Sequence, residues 1–184
     1  MKYIILFYFI LICFVSQGQS YHITPIKVED GLSQNVVCNM LQDRRGSIWF
    51  ATQKGITVFN GVDYTYINDT NGLQSEIVYC LFEDVKGHIW IGTHKGLTVY
   101  DGENFRTYTT DDGLTSNIIK CVFEDVNSRL WIGTQYGGLC VLDDVSTKSN
   151  FVEFPLPFSK QYLEVNISDI IEGTDGTIWF GTNR

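Results

Sequence analysis

Three histidines, five cysteines and a recurring Glu-Asp pair are the side chains of this 184-residue sequence whose types could do chemistry. The histidines are His22, His88 and His94, and no two stand at a spacing that seats a metal ion. Glu83-Asp84 and Glu124-Asp125 are carboxylate pairs of the kind that divide acid and base roles. They recur 41 residues apart (83 to 124), which marks a feature of a repeat rather than a unique acid–base site. Neither a Gly-x-Ser-x-Gly elbow nor a glycine-rich phosphate loop is present. The turns Asp43–Gly46, Asp84–Gly87 and Asp125–Ser128 lack calcium-loop spacing, and their aspartates suit the satisfaction of turn backbone. The sequence thus points to no catalytic residues, no metal ligands and no cofactor.

The elements that position these residues form a repeat. Trp49, Trp90 and Trp131 are 41 residues apart in turn, as are Gly31-Leu32, Gly72-Leu73 and Gly113-Leu114. Residues 72–96 and 113–137 match at 14 of 25 positions, and a further copy surfaces at Trp179-Phe180-Gly181-Thr182. In the second copy, runs at Ile77–Glu83, Ile89–Thr93, Leu97–Tyr100 and Phe105–Tyr108 are β-branched and aromatic. Turn residues separate them, with Asp101-Gly102 as a strong hairpin signal. Four short antiparallel strands in 41 residues leave no room for a helix. The pattern predicts an all-β fold of β-propeller blades with a period of about 41, in an incomplete propeller of about 3.5 blades. The expected organisation is an outer strand of an incomplete closing blade at 21–30 and blades at 31–71, 72–112 and 113–164. The first half of a fourth blade follows at 165–184. Ile23–Val28 reads as that stray outer strand, and the third blade has a longer outer segment around Pro155 and Pro157. The structural residues of the repeat are Trp49, Trp90, Trp131 and Trp179, expected between blades because Trp brings a large hydrophobic area.

Before the repeat, Lys2 precedes an unbroken apolar run, Tyr3–Val15, and then Ser16-Gln17-Gly18. This reads as a signal peptide over residues 1–20, too short for a spanning helix. Ile12 before Cys13 argues against a lipoprotein anchor. No second apolar run of spanning length follows, so the mature chain is expected to be exported, periplasmic or extracellular, without a transmembrane span. The net charge of −8 makes nucleic acid a poor partner, since phosphate binding needs a basic footprint. Export implies an oxidising setting for Cys38, Cys80, Cys121 and Cys140. Cys80 and Cys121, however, hold one position in successive copies. Equivalent sites on stacked sheets lie about 10 Å apart, so small buried hydrophobes are the better reading.

In an up-and-down blade, the loop entering the first strand and the loop between strands two and three share a face. Those loops vary between copies while the framework stays fixed, which suits recognition. The candidate ligand-binding residues are Asn35, Glu76 and Asn117 on the first set and Gln53, His94, Lys95, Gln135 and Tyr136 on the second. The triplets Asn68-Asp69-Thr70 and Asn166-Ile167-Ser168 are glycosylation sequons of the commonplace kind.

Glu83-Asp84-Val85-Lys86-Gly87-His88-Ile89-Trp90-Ile91-Gly92-Thr93, followed by Gly96-Leu97-Thr98-Val99-Tyr100-Asp101-Gly102, resembles the two-component regulator propeller repeat. The resemblance covers about residues 25 to 184. It implies an extracytoplasmic signal-input propeller, of a type thought to detect glycan fragments, ahead of a membrane helix and a histidine kinase. This sequence holds no such helix or kinase and reads as an N-terminal fragment. The resemblance therefore implies a ligand-sensing module with a glycan or another small ligand as partner. The alternative is an exported scaffold that meets another propeller-containing chain. A propeller lyase or hydrolase is the weakest reading, because no acid–base or metal set converges.

Overall fold

The computed structural model describes residues 23–143, 151–156 and 165–183. The apolar run Tyr3–Val15 lies outside the described residues, and so does most of the stretched outer segment of the third copy.

The strands are β1 (Val37–Gln42), β2 (Ile48–Thr52), β3 (Gly55–Phe59) and β4 (Tyr64–Ile67); β5 (Val78–Glu83), β6 (Ile89–Thr93), β7 (Gly96–Tyr100) and β8 (Phe105–Tyr108); β9 (Ile119–Glu124), β10 (Leu130–Thr134), β11 (Leu139–Leu142) and β12 (Val152–Phe154); and β13 (Asn166–Glu172) and β14 (Ile178–Asn183). Among the described residues they form three four-stranded sheets and one two-stranded sheet, each in sequence order with antiparallel neighbours. These are propeller blades, about three and a half of them, in an open array.

The core lies between blades rather than within any one. Trp49, Ala51 and Ile56 of the first blade pack with Val78, Leu81 and Ile91 of the second. Cys80, Trp90 and Leu97 of the second pack with Ile119, Leu130 and Ile132 of the third. Cys121, Trp131 and Leu139 of the third pack with Val165, Ile167 and Ile170 of the fourth. The second and third sheets thus bury their two faces against different neighbours, and the first and last bury one face each, which is why no single repeat is a stable unit. The first strands also pack on one another, β1 on β5, β5 on β9 and β9 on β13, and so converge at the narrow end of the array.

Close approach at that convergence requires glycine. A Cβ on Gly92 would collide with the Cys80 sulfur and crowd Ile119 of the next blade. Gly92→Ala is therefore expected to cost about 2 kcal/mol, as overpacking of a tight core does, read as a lower denaturation midpoint. An unchanged midpoint would mean the blades do not meet there.

A polar constellation closes the turn between first and second strands. The Asp84 carboxylate accepts from the Lys86 and His88 backbone N–H groups and, at 2.9 Å, from the Trp90 indole N–H. Asp43 and Asp125 repeat this with Trp49 and Trp131. A second link joins neighbours: the backbone N–H of Arg44, Val85 and Val126 donates to Glu83, Glu124 and Glu172 of the following blade. The Glu-Asp pairs are thus consumed, Asp within its own turn and Glu across to the preceding blade. Burial pushes the Asp84 and Asp125 carboxyls up, but the indole N–H and the backbone and side-chain donors of His88 or Arg129 outweigh it. Both lie below their ordinary value. A carboxyl depressed by folding contributes stability that is complete above the unfolded value, about pH 4, and is lost as pH falls through the folded value. Melting temperature is accordingly expected to fall on acidification below about pH 4, with a shallower dependence in Asp84→Asn. Equal slopes for wild type and variant would contradict this.

Two expected elements meet no partner among the described residues. No strand lies beside Ile23–Lys27, so the outer strand expected there is unpaired, and Val28–Asp30 is a short 3-10 helix. Its counterpart is Thr110–Asp112, ahead of the third blade. In both places the chain turns back so that Leu32 or Leu114 donates to the carbonyl of Lys27 or Thr109. Trp179, unlike the buried Trp49, Trp90 and Trp131, is 63% exposed. No following blade covers it among the described residues, and Gly173 stands where the other blades have the Asp that accepts the indole N–H.

Candidate binding face

The loops ahead of the first strands and those between second and third strands lie side by side, joined by backbone bonds. His94 N–H donates to the Ile77 carbonyl, Gln135 N–H to Ile118, and Gly55 N–H to Glu76 of the next blade. Gln53 N–H donates to Gln34 Oε1 at 3.2 Å, and Tyr136 N–H to Asn166 Oδ1 at 2.8 Å. Beneath them Thr52, Thr93 and Thr134 are buried and donate their hydroxyls to Gly55, Gly96 and Gly138. The repeated Gly-Thr (Ala-Thr in the first blade) therefore builds the loop floor, and the residues after Thr are free to differ.

Gln53, His94, Lys95 and Tyr136 are exposed on this face, while Glu76 and Gln135 are half-buried. Tyr136 has φ of 70°, a left-handed conformation that a bulky residue rarely adopts and that its neighbours must hold in place. Asn35 and Asn117 serve the frame instead: their side-chain oxygens accept from the backbone N–H of Val28 and Thr110, the first residues of the two 3-10 helices. The sequon residues are likewise engaged, Asn68 with the Thr70 backbone and hydroxyl and Asn166 with Tyr136.

Two functional candidates were not picked out by the loop pattern. Tyr79 hydroxyl and His94 Nδ1 lie 3.2 Å apart, and the Lys120 ammonium sits 3.8 Å from the centre of the Tyr79 ring. Burial, then the nearby Cys38, push the Tyr79 hydroxyl above its ordinary value. Cys38, Tyr79, Lys120 and Ser168 hold one position in the four first strands, and each strand carries a register irregularity there. The signal was available in the 41-residue register, where this column alone in the strand changes from thiol to phenol to ammonium.

Cys38, Cys80, Cys121 and Cys140 are all free thiols, the last three buried. Burial, and after it the charge of Asp169, pushes the Cys121 thiol up to about 12, which keeps it protonated and unreactive. Among the described residues no three His, Cys, Asp or Glu side chains converge as metal ligands.

Blades with buried, hydrogen-bonded tryptophans and a face of variable polar loops define a repeat protein of the propeller class. The chain belongs to the two-component regulator propeller family, whose model matches residues 31–54, 72–95, 113–136 and 161–184. Its fold is similar to the extracellular domain of the hybrid two-component system BT3049 from B. thetaiotaomicron, with a TM-score of 0.75 and 21% identity over 87% of this chain and 22% of that one. It is also similar to the corresponding domain of BT4673 from the same organism, with a TM-score of 0.65 and 20% identity over 82% of this chain and 22% of that one. A catalytically inactive virginiamycin B lyase from Staphylococcus aureus, with quinupristin, shares the fold at a TM-score of 0.60 and 19% identity, over 78% of this chain and 48% of that one. The chain thus spans about a fifth of the length of the two B. thetaiotaomicron domains. No curated protein matches the sequence. No helix of the described residues is long and apolar enough to cross a membrane.

Proposed function

We propose that the chain is part of an extracytoplasmic signal-input propeller of a two-component system, and that it takes a small ligand, such as a glycan, on the variable loop face. The observation that carries this reading is the division of labour within the repeat. Asp, Trp and Glu residues recur and interlock the blades at one end, while Gln53-Lys54, His94-Lys95 and Gln135-Tyr136 differ at the other. Family membership supports the signalling role. The apolar run Tyr3–Val15 supports export to the periplasm or beyond. A ligand bridging loops of adjacent blades would bias their spacing, and that bias would pass to domains beyond this chain. The blade ranges 31–71, 72–112, 113–164 and 165–184 are the units that would move.

A second reading, an exported interaction module that meets another propeller-containing chain, draws on the exposed apolar side chains Ile171 and Trp179 of the last sheet. Titrating the full chain with a panel of neutral and acidic oligosaccharides by calorimetry separates the two. The sensor reading expects a saturable heat that is lost in a Gln53→Ala/Gln135→Ala variant with unchanged melting temperature. Binding that survives that variant, or none across the panel together with capture of a second propeller chain, would overturn it.

A further inference from the structure

We propose that Tyr79, His94 and Lys120 form a binding site for an anionic group, a carboxylate or a sulfate, carried by a small ligand. The inference rests on the loop-face reading and gives that face a chemical preference. The three side chains come from β5, from the loop between β6 and β7, and from β9, so the site spans two blades. Tyr79 and Lys120 occupy the irregular position of their strands. A bulge re-aims one side chain and is over-represented beside functional sites.

The charges at this site are unbalanced. Lys120 is half-buried, and among the described residues its ammonium pairs with no carboxylate; the Tyr79 ring is its contact. When Tyr79 donates to His94 Nδ1, the ring hydrogen stands on Nε2 as a second donor. Lys54 and Lys95 stand on the loops of this face with Glu76, and Asp169 of β13, which like Lys120 acts on Cys121, is the acid of the neighbouring strand. The acids of the outer connections are engaged in their own turns, Asp30 with the Lys27 N–H and Asp112 with the Thr109 N–H. On a chain of net charge −8, Lys120 therefore stands as a cation without an ion-pair partner among the described residues, on the first strands where the blades converge. With the phenol's one hydrogen given to His94, the Lys120 ammonium and the His94 Nε2–H are the donors left for what arrives, and Tyr79 holds both in place, the complement of an anion.

The His94 imidazole resonances of the full chain report on the site directly. Sodium sulfate, sodium glucuronate and glucose are titrated at ionic strength held constant with sodium chloride. The proposal expects a saturable His94 shift with sulfate or glucuronate and none with glucose; the stronger of the two anions identifies the ligand group. Lys120→Gln should weaken the response by about tenfold, the size of a lost charge-assisted contact. Tyr79→Phe, which keeps the ring under Lys120, should weaken it less. A His94 signal that neither anion moves, or that moves equally in Lys120→Gln, overturns the site and leaves the Lys120–Tyr79 contact as packing. An oligosaccharide that shifts Gln53 and Gln135 while sulfate and glucuronate both leave His94 unmoved would overturn the anion site and leave the loop-face reading in place.

Discussion

Trp90→Ala is expected to lower the unfolding free energy by about 3–5 kcal/mol, the largest single-site loss in the chain. Trp90 is 1% exposed and packs among Leu114, Ile119 and Ile132 of the next blade. It lies beside Tyr108, with ring centroids 6.2 Å apart. Its removal empties the space between two blades, which neither sheet can close without shifting its first strand. The loss also leaves Asp84 without its indole donor. Trp179→Ala provides the internal comparison. That side chain is 63% exposed, so the cost should be no more than about 0.5 kcal/mol, as for an ordinary surface position. Urea denaturation of the two variants checks both values. Equal losses would mean the second-strand tryptophans are not inter-blade residues.

Asp84→Ala is expected to cost about 3 kcal/mol, because a buried acceptor with several donors disappears at once. The Trp90 indole N–H is buried and donates to Asp84, whereas the Lys86 and His88 N–H groups are part-buried and can turn to water. Asp84→Asn keeps an acceptor for the backbone and should recover part of the loss. Asp125→Ala should behave alike, since its carboxylate serves Trp131, Asn127 and Arg129 in the same way. A neutral effect of Asp84→Ala in denaturation would remove the constellation from the account of stability.

The blades themselves were legible in the sequence. β6 and β8 run over the residues that the apolar and turn pattern marks, Ile89–Thr93 and Phe105–Tyr108. The reason is physical: each strand is short, half-buried and bounded by residues that only a turn accommodates. The interlock was half legible. The sequence displays Asp84 and Trp90 in every full copy, but it cannot show that six residues and a turn bring the carboxylate onto the indole. It also hides that Glu83 and Glu124 reach back to the preceding blade. Ile23–Val28 carries a strand composition and stands unpaired among the described residues, because pairing depends on a partner the segment does not meet there. At the candidate site, His94 follows from loop position alone. Tyr79 and Lys120 do not, because a register irregularity in a strand leaves no mark in a single sequence, and only the 41-residue column could have drawn attention to them.

The central claim is that the repeated constellations interlock the blades at one end and leave the opposite, variable face to recognition. Hydrogen exchange of the four indole N–H groups, followed residue by residue by NMR, tests it most directly. Slow exchange at Trp49, Trp90 and Trp131, with rapid exchange at Trp179, is the predicted result. Rapid exchange at all four would contradict it.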